Sequence, residues 1–252
     1  MLNKFWFFIL FLVTTFAYAD PGTDLLIGFD QLSYNPIDNV SKSVSFKMTI
    51  DGLEEELNKV EKYGKFEKII FNITRDKKDK VDIKIDGIKG EFNDLRQSLK
   101  NKITPYLEII FPSSLSKSFR GYSLTLNQNK LQAVDKTYLK PIKESYMVFE
   151  KNGSLLENKI KTSQGTQIIT FEYVPSRKNK NQIMMSNIKR KVIYGPNHLL
   201  TNTAITYDSV NGIDFAKNIT TEFIFESQSD KKENMKENKL VERYDIFGVE
   251  LR

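Results

Sequence analysis

Ile213, Phe215, Ile219, Phe223 and Phe225 alternate with Asp214, Asn218, Thr220, Glu222 and Glu226. A period of two sets one side of the stretch against a dry surface and the other against water, which predicts a β-strand over 213–226. The run at 199–207 alternates in the same way. Between the two lies Asp208-Ser209-Val210-Asn211-Gly212, rich in turn formers, so the pair predicts a hairpin. Further strands are predicted at 43–50, 66–74, 81–85, 106–111, 121–127, 131–134, 142–150, 155–162, 166–174, 182–194 and 240–247. Asn152-Gly153, Gln164-Gly165, 175–180 and Gly195-Pro196-Asn197 punctuate them as turns.

Helical spacing occurs twice. Asp51 is placed to cap a short helix with Leu53, Leu57 and Val60 on one face and Glu54, Glu55 and Glu56 in its first turn, ended by Gly64. Phe92, Leu95, Leu99 and Ile103 mark a second helix over 91–103, which Pro105 is expected to stop. A sheet of about ten to twelve strands cannot stay flat and must curl, split or close. The expected fold is therefore mainly β: a large curved antiparallel sheet, a half-barrel, with two short helices packed on its concave side.

The N-terminus reads as an address. Lys4 supplies a positive start, 5–16 is apolar or small, and Ala17-Tyr18-Ala19 fits a cleavage site, so 1–19 is expected to be a cleaved signal peptide. The remainder, 20–252, is expected to be one β-rich domain with a mobile charged loop at 227–239. The chain has no cysteine, which suits a bacterial periplasm better than an animal extracellular space. A periplasmic or secreted location in a Gram-negative bacterium is thus expected. Loss of Lys4 lowers the formal charge of +6 by one, leaving a mildly basic protein suited to anionic envelope surfaces rather than, in that compartment, to nucleic acid.

The element order, together with Val210-Asn211-Gly212-Ile213-Asp214-Phe215-Ala216-Lys217-Asn218-Ile219, resembles the bacterial lipoprotein-carrier superfamily of periplasmic half-barrels. In that superfamily a strand after a turn often opens with a glycine, an apolar pair and a proline; Ala216 stands where the proline would be. The chain is also similar to uncharacterised secreted proteins of deltaproteobacterial-type bacteria. The carrier resemblance implies a cavity for acyl chains, in which the ligand would be a lipid or a lipoprotein.

In such a cavity, charge on an otherwise apolar strand face would mark the head-group end. Arg190 shares a face with Met184 and Ile188, and Lys217 interrupts Phe215, Ile219 and Phe223. Each cation either holds a carboxylate or phosphate head group in a greasy groove, or snorkels at a rim or protected edge. With Leu95 and Leu99 of the second helix, these nine residues form the candidate ligand site.

Signals for catalysis are sparse. His198 is the single histidine, placed after a turn where a solvated side chain is expected, so no metal centre is expected. Ser114-Leu115-Ser116-Lys117 has the spacing of the serine element of penicillin-recognising enzymes, and Lys161-Thr162-Ser163 resembles their second element, but Pro112 and the surrounding serines suggest a loop and no S-D-N element follows. The expected protein is a non-enzymatic, cofactor-free, monomeric carrier of an apolar ligand. The alternative is an envelope interaction protein without a cavity, using basic loops at 75–80 and 177–180.

Overall fold

Alternation along the chain becomes a curved, unclosed antiparallel sheet of twelve strands in the computed structural model, which describes residues 20–195, 197–227 and 238–252. The expected signal peptide and most of the expected charged loop, 228–237, lie outside the described residues. Strands β1 (Ser43–Ile50), β2 (Ile70–Asp76) and β3 (Val81–Asp86) form a first meander. A second runs through β4 (Ser123–Asn127), β5 (Lys130–Val134), β6 (Ile142–Phe149), β7 (Leu155–Thr162), β8 (Thr166–Pro175), β9 (Ile183–Tyr194), β10 (Asn197–Val210), β11 (Ile213–Ser227) and β12 (Asn238–Leu251). Strand β12 pairs with β1, so the two meanders form one sheet with β3 and β4 at its edges.

The β10–β11 hairpin is the one predicted. Asn211 and Gly212 both have positive φ, 51° and 75°, the mirror-image turn that matches the twist of two strands joined by two residues. The ladder then contains a bulge: Thr206 pairs with Asn218 but Tyr207 pairs with Ala216, so Lys217 is the extra residue. Period-two counting fails at that point.

Among the described residues four α-helices accompany the sheet: α1 (Pro21–Leu32), α2 (Leu53–Asn58), α3 (Asn93–Ile110) and α4 (Leu115–Ser118). The sequence pattern predicts no element between the expected signal peptide and 43, where the structure has α1. Asp20 caps it by accepting the Gly22 N–H at 3.1 Å, and Pro21 opens it with φ preset for a helix. Leu26 and Phe29 bury against Leu131, Met147, Phe149 and Leu155. Gly22 lies so close to the sheet that a Cβ there would sit 2.8 Å from Leu131 and 3.0 Å from Leu124.

Helix α3 corrects the expected strand at 106–111. Pro105 is exposed, and the carbonyl that it leaves without a partner belongs to Asn101, also exposed, so the lost hydrogen bond faces solvent. Tyr106, Leu107 and Ile110 meanwhile extend the buried stripe of Leu95, Leu99 and Ile103. Helix α2 is only six residues long and is preceded by Gly52 in a left-handed conformation, with no side-chain cap from Asp51. The helices bounding the cavity on the concave face are therefore α1 and α3. Two cores result, one under α3 and one under α1, and Phe171 on β8 touches both.

Candidate functional site

Where the two cores meet, an apolar cavity of about 230 Å³ remains between α1, α3 and the concave face of β7–β11. Register explains its floor: Phe171 lies opposite Ile188 and Ile169 opposite Arg190, so these four side chains share a face. Phe29 of α1 and Pro105 and Ile109 of α3 form the other wall.

The three tyrosine hydroxyls of the wall are each hydrogen-bonded to the backbone. Tyr173 donates its hydroxyl to the Leu155 carbonyl at 2.9 Å and Tyr207 to that of Met185 at 2.7 Å. Tyr34 accepts the Asp214 N–H at 3.0 Å. Burial pushes the Tyr34 hydroxyl up to about 12 and raises Tyr173 and Tyr207 further. None of the three ionises near neutrality. Asp214, itself buried, accepts the Ser176 hydroxyl at 2.7 Å and the N–H groups of Arg177 and Lys178 at 2.8 and 3.1 Å, which draws the 177–180 loop inward. What faces the space is mainly hydrocarbon, with Ser33 and Ser113 also on its lining and the exposed Arg190 and Glu108 at its border. Arg190 has no ion-pair partner among the described residues.

Three of the nine candidate residues, Met184, Ile188 and Arg190, line this cavity. Phe215 and Ile219 are packed in the larger core, as are Leu95 and Leu99 under α3. Phe223 lies beyond the cavity, paired with Leu240 and Thr201. Lys217 is not an inward cation: the bulge turns it outward, its side chain is 58% exposed, and it meets Asp208 at 3.5 Å. The sequence reading missed Phe29, Tyr34, Tyr173 and Tyr207. Parity along 166–174 was a signal for Tyr173; Phe29 and Tyr34 required α1.

On the far side of the 112–114 strap lies a larger open groove of about 880 Å³, bordered by Asp30, Arg75, Asp79 and Lys117. Much of its charge is spent internally. Arg75 donates to the Phe111 carbonyl at 3.1 Å and to Asp79 at 2.8 Å, and its guanidinium holds the Asp79 carboxyl below the usual range. Ser114 donates to Asp30 at 2.6 Å, and the same carboxylate accepts the N–H groups of Leu115 and Ser116. The serine is a helix cap for α4 and is oriented as one. His198 also departs from expectation. It lies within β10 with its side chain 17% exposed, opposite Glu226, rather than in a solvated turn. Among the described residues no three His, Cys, Asp or Glu side chains are grouped as metal ligands, and no helix is long and apolar enough to cross a membrane.

The most strongly shifted acid lies elsewhere, on the outer face of the sheet. Glu144 accepts from Lys161 and Gln132, both at 2.6 Å, and from the Tyr146 hydroxyl. Lys161 first, then Tyr146, hold its carboxyl down to about 2. A depressed folded pKa stabilises the fold above the ordinary glutamate range and loses that contribution as pH falls toward 2. Solvent screening limits it to about 1 kcal/mol. Denaturation between pH 2 and 5 should show that acid-dependent loss in the wild type and a shallower slope in Glu144→Gln.

No known protein family, curated protein or solved structure matches the chain.

Proposed function

We propose that the protein is a non-enzymatic binding or carrier protein of the bacterial cell envelope that holds an acyl chain between α1, α3 and the sheet. The supporting observation is the cavity itself: mainly apolar walls, tyrosine hydroxyls already engaged, and beside Ile169 an Arg190 that pairs with no acid among the described residues. Water filling an apolar pocket of about 230 Å³ makes few contacts with its walls and is readily displaced. An acyl chain restores the missing contacts. A guanidinium at the border suits a carboxylate or phosphate head group, which it binds through two parallel hydrogen bonds. Entry is easiest past the last turns of α3, where Pro105 already interrupts the helical ladder beside the cavity.

Native mass spectrometry with organic extraction, on protein purified gently from a Gram-negative periplasm, tests this reading. Discrete added masses that extract as lipid are expected. Arg190→Met should reduce their occupancy about tenfold, the scale of one charge-assisted pair, while Lys217→Met should leave it unchanged. A clean apo mass in the presence of abundant lipid would exclude the carrier reading.

A further inference from the structure

Neither basic loop singled out in the sequence presents a free cationic surface backed by apolar side chains: Arg75 is tied to Phe111 and Asp79, and the 177–180 loop closes on Asp214. The connection between β5 and β6 sets exposed apolar side chains beside the exposed cations Lys136 and Arg120. Tyr138 and Leu139 at its tip are 79% and 87% exposed, the highest values among the large hydrophobic side chains described.

Their display is imposed by the loop's own bonding. Asp135 is buried at the base, and its carboxylate accepts the Thr137 N–H at 2.9 Å, the Thr137 hydroxyl at 2.5 Å and the Lys140 N–H at 2.9 Å. Lys143 Nζ donates to the carbonyls of Tyr138 and Lys140 at 2.7 and 2.8 Å. Lys140 Nζ donates to the Arg120 carbonyl at 2.6 Å and lies 3.9 Å from the centre of the Tyr122 ring. Tyr138 is held at φ 60°, a conformation that a bulky residue adopts only where its surroundings enforce it. The loop is thus pre-ordered with an aromatic and an aliphatic side chain directed into solvent.

Charge selects the partner. Lys136 and the adjoining Arg120 are exposed, and Lys140 and Lys143 add their charge to the loop while their ammonium groups brace it, whereas the loop's one acid, Asp135, is buried and fully engaged. We propose that the 135–141 loop docks on an anionic lipid bilayer, with Tyr138 and Leu139 entering the boundary between head groups and acyl chains and Lys136 and Arg120 meeting the phosphates. A tyrosine ring suits that boundary because its body is apolar and its hydroxyl stays wet. Each lysine near an anionic surface adds attraction that a neutral one does not supply. This inference does not depend on the cavity or on what fills it.

Trp6 is the only tryptophan in the sequence, so Trp6→Phe combined with Leu139→Trp places a single reporter at the tip of the full chain. Residues 5–16 are apolar and can bring the chain to a vesicle unaided, but the reporter registers only whether the loop itself is buried. Vesicles of mixed phosphatidylcholine and phosphatidylglycerol should shift its emission to the blue and allow brominated lipid to quench it. Pure phosphatidylcholine should need about fivefold more lipid or above for the same shift. Adding Tyr138→Ser should weaken the response about tenfold. An unshifted emission, an equal shift with neutral vesicles, or a shift that grows with protein concentration in the absence of lipid, as self-association would produce, each overturns the proposal.

Discussion

Phe215→Ala is expected to lower the unfolding free energy by about 4 kcal/mol. Phe215 is 1% exposed, with its ring centre 5.3 Å from that of Phe46 and 5.9 Å from that of Phe111. Those rings belong to β1 and to the residue that follows α3, so one side chain ties three segments distant in sequence. Truncation removes two aromatic pairs and leaves a void that the flanking strands, fixed by their ladders, cannot close. Chemical denaturation should show the midpoint falling at unchanged slope. Phe225→Ala on the same strand is the control: that side chain is 57% exposed, and its loss should be within about 0.5 kcal/mol. A Phe215→Ala change as small as the control's would mean that this cluster does not hold β1 and α3 to the sheet.

Ile188→Trp should abolish retained apolar ligand while leaving the protein folded. Ile188 is buried in the cavity floor opposite Phe171, and a larger ring at that position projects into space rather than into packed neighbours. Overpacking a full core typically costs about 1–3 kcal/mol; here the added atoms gain contacts that the void lacks, so stability should stay within about 1 kcal/mol of the wild type. Loss of at least about 90% of the extractable lipid, read by mass spectrometry, is expected alongside an unchanged denaturation midpoint. Equal lipid in the variant would move the binding surface away from this cavity. Lipid loss accompanied by unfolding is distinguished by the same denaturation curve.

Strands were legible because each has one wet and one dry face, and that asymmetry is written every second residue. The bulge at Lys217 was not, because an extra residue leaves composition and spacing unchanged and is fixed only by the neighbouring strand. Lys217 was therefore assigned to the wrong face. Helix α3 was read too short since a proline normally ends a helix, yet Tyr106, Leu107 and Ile110 already continued the stripe of Leu95, Leu99 and Ile103, and burial of that stripe outweighs one solvent-facing hydrogen bond. Helix α1 had its Asp20-Pro21 start and its Leu25, Leu26 and Phe29 stripe in plain view beside the expected cleavage site. At the cavity, Met184, Ile188 and Arg190 share the parity of a single strand and could be grouped from the sequence. Phe29, Tyr34 and Tyr207 reach it from α1, from the segment after it and from β10, a meeting that only the tertiary fold creates.

The pairing of β12 with β1 has a consequence for the order of assembly. Strands β2 to β11 find their hydrogen-bonding partners beside them in the chain, but β1 must wait for a strand made after the whole second meander. During synthesis the first meander emerges with one flank of β1 open, and β11 later emerges with its own flank open. Only β12 seals both gaps, and closing so long a loop is slow. Until then the chain is two unjoined sheets with sticky borders, a period in which it would be most vulnerable to aggregation and most in need of a holding chaperone.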